Sequence, residues 1–178
     1  IRAADERIAA LEREMLASLE GWSLEPLAGA LMSLRGVALV GGMTLAAELG
    51  DVSRFPQAPE LMSFCGLTPG QHSSGKSMHT GPITKRGNAH VRRVLVEAAH
   101  SYRHGPRVSV ELKKRSARTS ESVRRIAWKA QQRLHGKYRR LISRGLPTQK
   151  VMVALARELL GFVWSIGREV ELVAPPGA

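Results

Sequence analysis

Cysteine is scarce in this chain, since Cys65 is the only one among 178 residues. A single cysteine excludes an internal disulfide framework and any zinc site built from several cysteines, and it fits a reducing cytoplasm. Long apolar runs are also missing. The longest, residues 36–49, is too short and too rich in glycine to cross a bilayer, and no secretion signal opens the chain. We therefore expect a cytoplasmic protein without a membrane partner.

Acidic residues are nearly absent from residues 71–150, which hold 20 of the 27 lysines and arginines but only three of the 15 acids. This block carries a net charge of +17, whereas the rest of the chain carries −5. A basic excess that serves only solubility does not need to be segregated in this way. The asymmetry predicts that a nucleic acid faces one contiguous block. A solvated basic surface without a partner is the alternative.

Strand-like alternation of apolar and polar residues is missing as well, so the predicted fold class is mainly α, a compact helical domain. The glycine, serine and threonine content of residues 66–87 predicts a loop. Asn88 is a candidate cap for the helix after that loop, with Val91 and Leu95 on its buried side. Helical spacing of apolar residues predicts helices over 1–20, 24–34, up to Leu49, 59–64, from 88, 120–134, 138–143 and 148–170.

This organisation divides the chain into three parts. Residues 1–23 are predicted to form the end of a helical connector or coiled coil, residues 24–172 the compact domain and residues 173–178 a tail. Because Ile1 opens the chain inside a helical pattern, we expect the natural protein to begin earlier. The apolar stripe of the first helix has no evident partner, so we expect a homo-oligomer, a dimer or tetramer, with packing inside the monomer as the alternative.

One short segment matches a nucleotide-binding pattern. Residues 70–77, GQHSSGKS, fit the phosphate-loop pattern G-x-x-x-x-G-K-[ST] at every position, including Lys76. A working phosphate loop follows a buried strand and opens a helix, whereas Pro69 precedes this segment and Pro82 follows it closely. A nucleotide-binding protein is therefore only a distant alternative.

A longer string that contains this segment resembles a family of transposases. It consists of FCGLTP at 64–69, SSG at 73–75, GPITKRGN at 81–88 and VRR at 91–93. The string is similar to the serine-bearing second domain of the insertion-sequence one-ten family, which is related to the Piv and MooV invertases. The resemblance is close over about residues 30–105 and continues more weakly through 138–170.

The resemblance implies a catalytic role for one serine. The family nucleophile stands just before glycine in the loop after GLTP, which corresponds to Ser74, with Ser73 as the adjacent alternative. Its hydroxyl would attack a DNA phosphodiester and form a phosphoserine link that conserves bond energy for rejoining. The non-catalytic alternative is that both serines are ordinary polar loop residues.

The resemblance also implies a second domain. Full-length members join this domain to an N-terminal RuvC-like domain, whose Asp-Glu-Asp-Asp set binds Mg²⁺ and assists the attack. No such set is recognisable in this chain. We therefore expect no cofactor within it, and we expect the chain to be inactive alone. The family further implies a bacterial or archaeal cell.

Basic side chains around the serine are the candidate nucleic-acid ligands. One group surrounds a helix N-terminus that also attracts phosphates: Lys76, Lys85, Arg86, Asn88, Arg92 and Arg93. A second stripe follows: Lys113, Lys114, Arg115, Arg118, Arg124 and Arg125. DNA or a guide RNA can be the target, because some family members use a bridge RNA and charge alone does not separate the two. A non-catalytic DNA- or RNA-binding domain is the main rival.

Three weaker signals are interpreted as structural. Residues 34–38, LRGVA, resemble a helix-hairpin-helix turn, but Ala38 replaces its second glycine, so helix packing is an equal alternative to phosphate binding. Trp22, Trp128 and Trp164 are predicted to be core or interface residues, because 4% aromatic content gives little basis for base stacking. His100 and His104 have the spacing of metal ligands but lack a nearby partner, so we predict no metal site.

Overall fold

The fold is mainly α, as predicted. The computed structural model describes residues 2–74 and 77–173, and for 71–74, 77–80 and 171–173 it describes the backbone alone. The α-helices in these ranges are α1 (Arg2–Leu19), α2 (Glu25–Leu31), α3 (Leu39–Leu49), α4 (Ala58–Phe64), α5 (Ala89–Ala99), α6 (Val110–Ser116), α7 (Glu121–Ser143) and α8 (Thr148–Val173). The remaining elements are the 3-10 helices η1 (Val52–Arg54) and η2 (His100–Arg103) and the strands β1 (Pro69–Ser74) and β2 (Ser77–Ile83). Within the described ranges, no helix has the length and apolar character that a bilayer crossing needs.

Helix α8 lies at the centre of the core. It packs against α2, α4, α5, α7 and η1. The predicted apolar spacing explains this position, because Val151, Leu155, Leu159 and Ile166 are all fully buried. Burial of each such side chain stabilises the fold by about 2 kcal/mol. The other helices are therefore arranged around one long apolar helix.

Local capping sets several helix ends. Asn88 begins α5, since its side-chain oxygen accepts a hydrogen bond from the Val91 amide at 3.0 Å, as predicted. Ser109 and Ser120 cap α6 and α7 in the same way. Helix α7 ends before Gly145, whose φ of 74° is a left-handed conformation that glycine adopts without steric cost.

The prediction of two separate helices over 120–134 and 138–143 is wrong. Helix α7 runs without interruption through Gly136. A glycine inside a helix costs about 1 kcal/mol relative to alanine. Packing offsets this cost, because Leu134 is fully buried before the glycine, and Tyr138 and Leu141 pack against the core after it.

The prediction of a loop over 66–87 is also wrong for most of that segment. Strands β1 and β2 pair antiparallel, with Pro69 opposite Ile83 and Ser74 opposite Ser77, and the register shifts between Pro69 and Gln71. Backbone amides and carbonyls bond within such a ribbon whatever the side chains are. The strands form a sheet of only two strands among the described residues, so they did not need the alternating apolar pattern of a buried sheet.

The turn between α2 and α3 is used for packing. Gly36 has a φ of 84°, and a Cβ at this position would lie 2.6 Å from the carbonyl oxygen of Ala98 on α5. Arg35 extends from the same turn and donates to the carbonyl of Gly105 at 2.8 Å. These contacts account for the LRGVA turn through helix packing, one of the two interpretations that the sequence left open.

Candidate nucleic-acid interface

The two candidate serines lie at the far end of the hairpin. Ser74 is the last residue of β1, and Ser73 stands opposite Met78 of β2. A strand advances about 3.3 Å per residue, so the backbone of Ser74 lies roughly 17 Å along the ribbon from Pro69. The side chains of both serines and the whole of Lys76 are outside the described residues. The backbone therefore carries the serine away from the base of the hairpin.

Backbone pairing continues below the strands to the base of the hairpin. The Thr84 amide donates to the Thr68 carbonyl at 2.9 Å, and the Lys85 amide donates to the Gly66 carbonyl at 3.1 Å. Lys85 has a φ of 55°, the one positive φ at a non-glycine position in the described part of the chain. Such a conformation costs roughly 1 kcal/mol or more, so the surrounding contacts must hold it.

Two glycines allow the legs of the hairpin to touch. Gly66 and Gly87 have φ values of 66° and 96°. A Cβ on Gly66 would overlap the Arg86 carbonyl oxygen, and a Cβ on Gly87 would overlap the Phe64 carbonyl oxygen. The glycines of the quoted string are thus required by close backbone approach, in addition to their dihedral angles.

Arg92 fastens this junction from α5. Its Nη1 atom donates to the Cys65 carbonyl at 3.0 Å and to the Gly87 carbonyl at 3.1 Å, so one side chain bonds both legs. Arg92 is half-buried. Its predicted role as a phosphate ligand stays a prediction, but in this structure it holds the hairpin in place.

Both polar atoms of the Asn88 side chain form hydrogen bonds. Besides capping α5, its Nδ2 atom donates to a carboxylate oxygen of Glu48 on α3 at 2.5 Å. Cys65, beside the same junction, is fully buried, and burial raises the pKa of its thiol to about 12 despite the nearby Arg92 and Arg54 charges. The thiol is therefore protonated at neutral pH, which makes it a poor nucleophile.

Exposed cations surround the junction. Lys85 and Arg86 are exposed on the second leg of the hairpin. Arg93 is 81% exposed on α5 and pairs with Glu97 one turn away at 3.0 Å. An exposed pair of this kind contributes little to stability, so Arg93 can exchange its partner for a phosphate at small cost. The structure thus brings Lys85, Arg86, Asn88 and Arg92 together around the hairpin base.

The second predicted stripe lies on α6 and the start of α7. Lys113, Arg118 and Arg124 are exposed, and Arg124 donates to the Thr119 carbonyl. Lys114 pairs with Glu111 at 3.3 Å and Arg125 with Glu121 at 3.5 Å. Arg115 is half-buried. No hydrogen bond or ion pair among the described residues links this stripe to the hairpin base.

Two alternatives from the sequence can be tested against this geometry. Ser77 begins a strand, where a phosphate-binding loop would begin a helix, so the interpretation of residues 70–77 as a phosphate loop is wrong. In the described ranges, no three histidines, cysteines or acids are grouped so that they could hold a metal ion. His100 and His104 are exposed, consistent with their interpretation as surface residues.

One cluster was missed by reasoning from the sequence. Glu158 of α8 bonds Arg133 and Lys137 of α7 beside a groove between these helices. Trp128 is 39% exposed on α7, so of its two predicted roles the core is excluded and the interface stays a prediction, whereas Trp22 and Trp164 pack against the core. The spacing of Lys129, Arg133 and Lys137 four residues apart was the available signal, because such residues share one helix face.

Comparisons with known proteins agree with the resemblance. Residues 28–113 match the family described as Transposase IS116/IS110/IS902. A putative transposase of Sinorhizobium fredii is 47% identical over 148 residues, 83% of this chain and 38% of that protein. The transposase for insertion sequence element IS1111A of Coxiella burnetii is 35% identical over 71 residues, 40% of this chain and 20% of that protein.

A further relative carries the family's name. The insertion element IS110 uncharacterized 43.6 kDa protein of Streptomyces coelicolor is 34% identical over 99 residues, 56% of this chain and 24% of that protein. This chain spans 38% or less of the length of these three relatives. The matched segment contains the hairpin, its glycine junction and Arg92. The chain therefore carries a domain of the IS116/IS110/IS902 family of transposases.

Proposed function

We propose that this chain is the serine-bearing module of a transposase and that Ser74 is its nucleophile. The observation that carries the proposal is the position of Ser74 at the far end of a hairpin whose base is fastened by Arg92. A nucleophile must be delivered to its phosphorus within a narrow geometry. A ribbon held at its base serves this purpose better than a free loop.

The proposed reaction is a transfer between two oxygens on phosphorus. The Ser74 hydroxyl oxygen forms a bond to phosphorus and loses its proton, while the bond from phosphorus to the deoxyribose oxygen of the cleaved strand breaks. The released deoxyribose oxygen takes up a proton. Attack by the hydroxyl of a second strand reverses these changes and regenerates the serine, so the bond energy is conserved.

Cations at the hairpin base are proposed to hold the DNA backbone during the transfer. Lys85 and Arg86 are exposed there, and Arg93 is held only by a surface ion pair. The α6 and α7 stripe is proposed to bind a second polyanionic segment, either DNA or a guide RNA. A Mg²⁺ ion in a RuvC-like domain would supply charge stabilisation on the phosphate. A homo-oligomer in the bacterial or archaeal cytoplasm completes the proposal.

Substitution of the serine tests this function in a complete transposase that contains this chain. With labelled element-end DNA, Ser74→Ala is expected to reduce the denaturant-resistant protein–DNA adduct by at least about a thousandfold, because the attacking oxygen is gone. DNA affinity is expected to stay within about twofold, since phosphate contacts dominate binding.

Ser73→Ala is the matched control and is expected to keep the adduct. An adduct that persists in Ser74→Ala and disappears in Ser73→Ala would move the assignment to Ser73. If the unsubstituted protein binds DNA and never forms an adduct, the non-catalytic binding domain becomes the better description.

A further inference from the structure

Helix α7 carries an unusual excess of positive charge. Its 23 residues contain seven lysines and arginines and a single acid, Glu121 in the first turn. Beyond Arg124 and Arg125, the basic side chains continue for four more turns to Arg140. Lys129, Arg133 and Arg140 are exposed, while Lys137 is half-buried. This surface lies beyond the stripe that the sequence singled out.

A groove lies between these cations and α8. Two neighbouring cavities of about 670 and 650 Å³ lie along α7 and share Gln132, Arg133 and Glu158 as lining residues. Lys129 lines one end and Arg140 the other. Residues 129 and 140 are roughly 17 Å apart along the helix, which matches several phosphates of one stacked strand at about 3.4 Å each.

Glu158 is the one acid that lines this groove. Its side chain is 18% exposed and accepts hydrogen bonds from Arg133 and from Lys137, the latter at 2.6 Å. Burial alone would raise the pKa of Glu158, but the hydrogen bonds and charges of Lys137 and Arg133 hold it below its ordinary value. A single carboxylate balances only one of the four cations, so the groove keeps a positive excess.

Two further residues of α7 favour a surface that binds a polynucleotide over a solvated basic surface without a partner. Trp128 stands next to Lys129 with 39% of its surface exposed, and an exposed indole among cations can stack an unpaired base. A Cβ on Gly136 would meet nothing within 4 Å, so packing does not require this glycine. Its missing side chain leaves room for a phosphate backbone to approach the helix closely.

We propose that this α7 groove, which is lined by Lys129, Gln132, Arg133, Lys137 and Arg140 and has the exposed Trp128 next to Lys129 in the sequence, binds a single-stranded polynucleotide. Its phosphates contact the cations, and one unpaired base stacks on Trp128. Met62 of α4 lines the same cavity as Lys129 and stands four residues before Gly66 at the hairpin base. The inference rests on the proposed nucleic-acid substrate and is independent of Ser74 chemistry.

Binding of the 178-residue chain to fluorescein-labelled single strands of about 12 nucleotides, one DNA and one RNA, tests this inference. Lys129→Ala combined with Arg140→Ala is expected to weaken binding about tenfold. The salt slope of the association constant should fall in magnitude by about 1.4, because two phosphate contacts are lost from a single strand. Trp128→Leu should weaken binding while leaving the salt slope unchanged. The DNA and RNA arms show which sugar the groove prefers.

Arg7→Ala combined with Arg13→Ala is the matched control, since both residues are exposed on α1 and the change in net charge is the same. An equal loss of affinity in this control, or tighter binding of a duplex that depends on the same groove residues, would overturn the inference. Glu158→Gln is expected to change the affinity in the opposite direction. It releases Arg133 and Lys137 from the carboxylate, so binding of the single strand should become stronger. Ser74→Ala should change nothing here, so failure of the catalytic proposal is distinguishable from failure of the groove.

Discussion

Replacement of Gly87 by alanine is expected to lower the free energy of unfolding by about 3 to 5 kcal/mol. Gly87 has a φ of 96°, and an added Cβ would overlap the carbonyl oxygen of Phe64. The obstacle is backbone on the opposite leg of the hairpin, so no side-chain rotation can relieve it. The junction at Gly66 must open instead. Urea unfolding followed by circular dichroism measures the change.

Gly145→Ala is the matched control for this effect. Gly145 also has a left-handed φ, 74°, but a Cβ there would meet nothing within 4 Å. Only the dihedral cost of about 1 kcal/mol is expected. Equal losses at the two positions would mean that the legs of the hairpin are not in contact as described.

Arg92→Gln is expected to cost about 2 to 3 kcal/mol and to reduce DNA cleavage strongly. The substitution removes two hydrogen bonds from a charged donor, and the carbonyls of Cys65 and Gly87 lose their partner at a half-buried junction. Under the proposed function, a hairpin with its base released no longer holds the nucleophile Ser74 in one position. Thermal unfolding and a cleavage assay with saturating DNA measure the two effects.

Two substitutions separate this positioning role from phosphate binding. Arg92→Lys keeps the positive charge but lacks the planar fork of donors, so it should recover little stability. Arg93→Gln removes an exposed charge on the same helix and should change stability by less than about 0.5 kcal/mol. If Arg92→Lys restores both stability and cleavage, charge rather than the bonds to the two carbonyls is the essential property of Arg92.

Helices were predictable where the information is local. The spacing of Leu155, Leu159 and Ile166 set the buried side of α8, and Asn88 capped α5 as expected. These features depend on residues within a few turns of one another. The continuity of α7 was not predictable, because the packing that offsets Gly136 comes from elsewhere in the chain.

The hairpin and the groove depend on contacts that local patterns do not encode. Residues 69–83 show no alternation of apolar and polar residues. Their composition is therefore compatible with a loop as well as with the two-stranded ribbon that the structure contains. The sequence predicted Arg92 as a surface cation. Its hydrogen bonds to the hairpin were not predictable, because the acceptors are backbone carbonyls, which every residue has. The α7 groove needs side chains from α4, α7 and α8, and only the folded chain brings them together.

Peptide mapping of the protein–DNA adduct tests the central proposal most directly. The complete transposase is reacted with element-end DNA, digested with nuclease and protease, and the nucleotide-bearing peptide is sequenced by mass spectrometry. We expect the nucleotide phosphate to be attached to the Ser74 hydroxyl. Attachment to another residue, or cleaved DNA with no nucleotide on any peptide, would contradict the account.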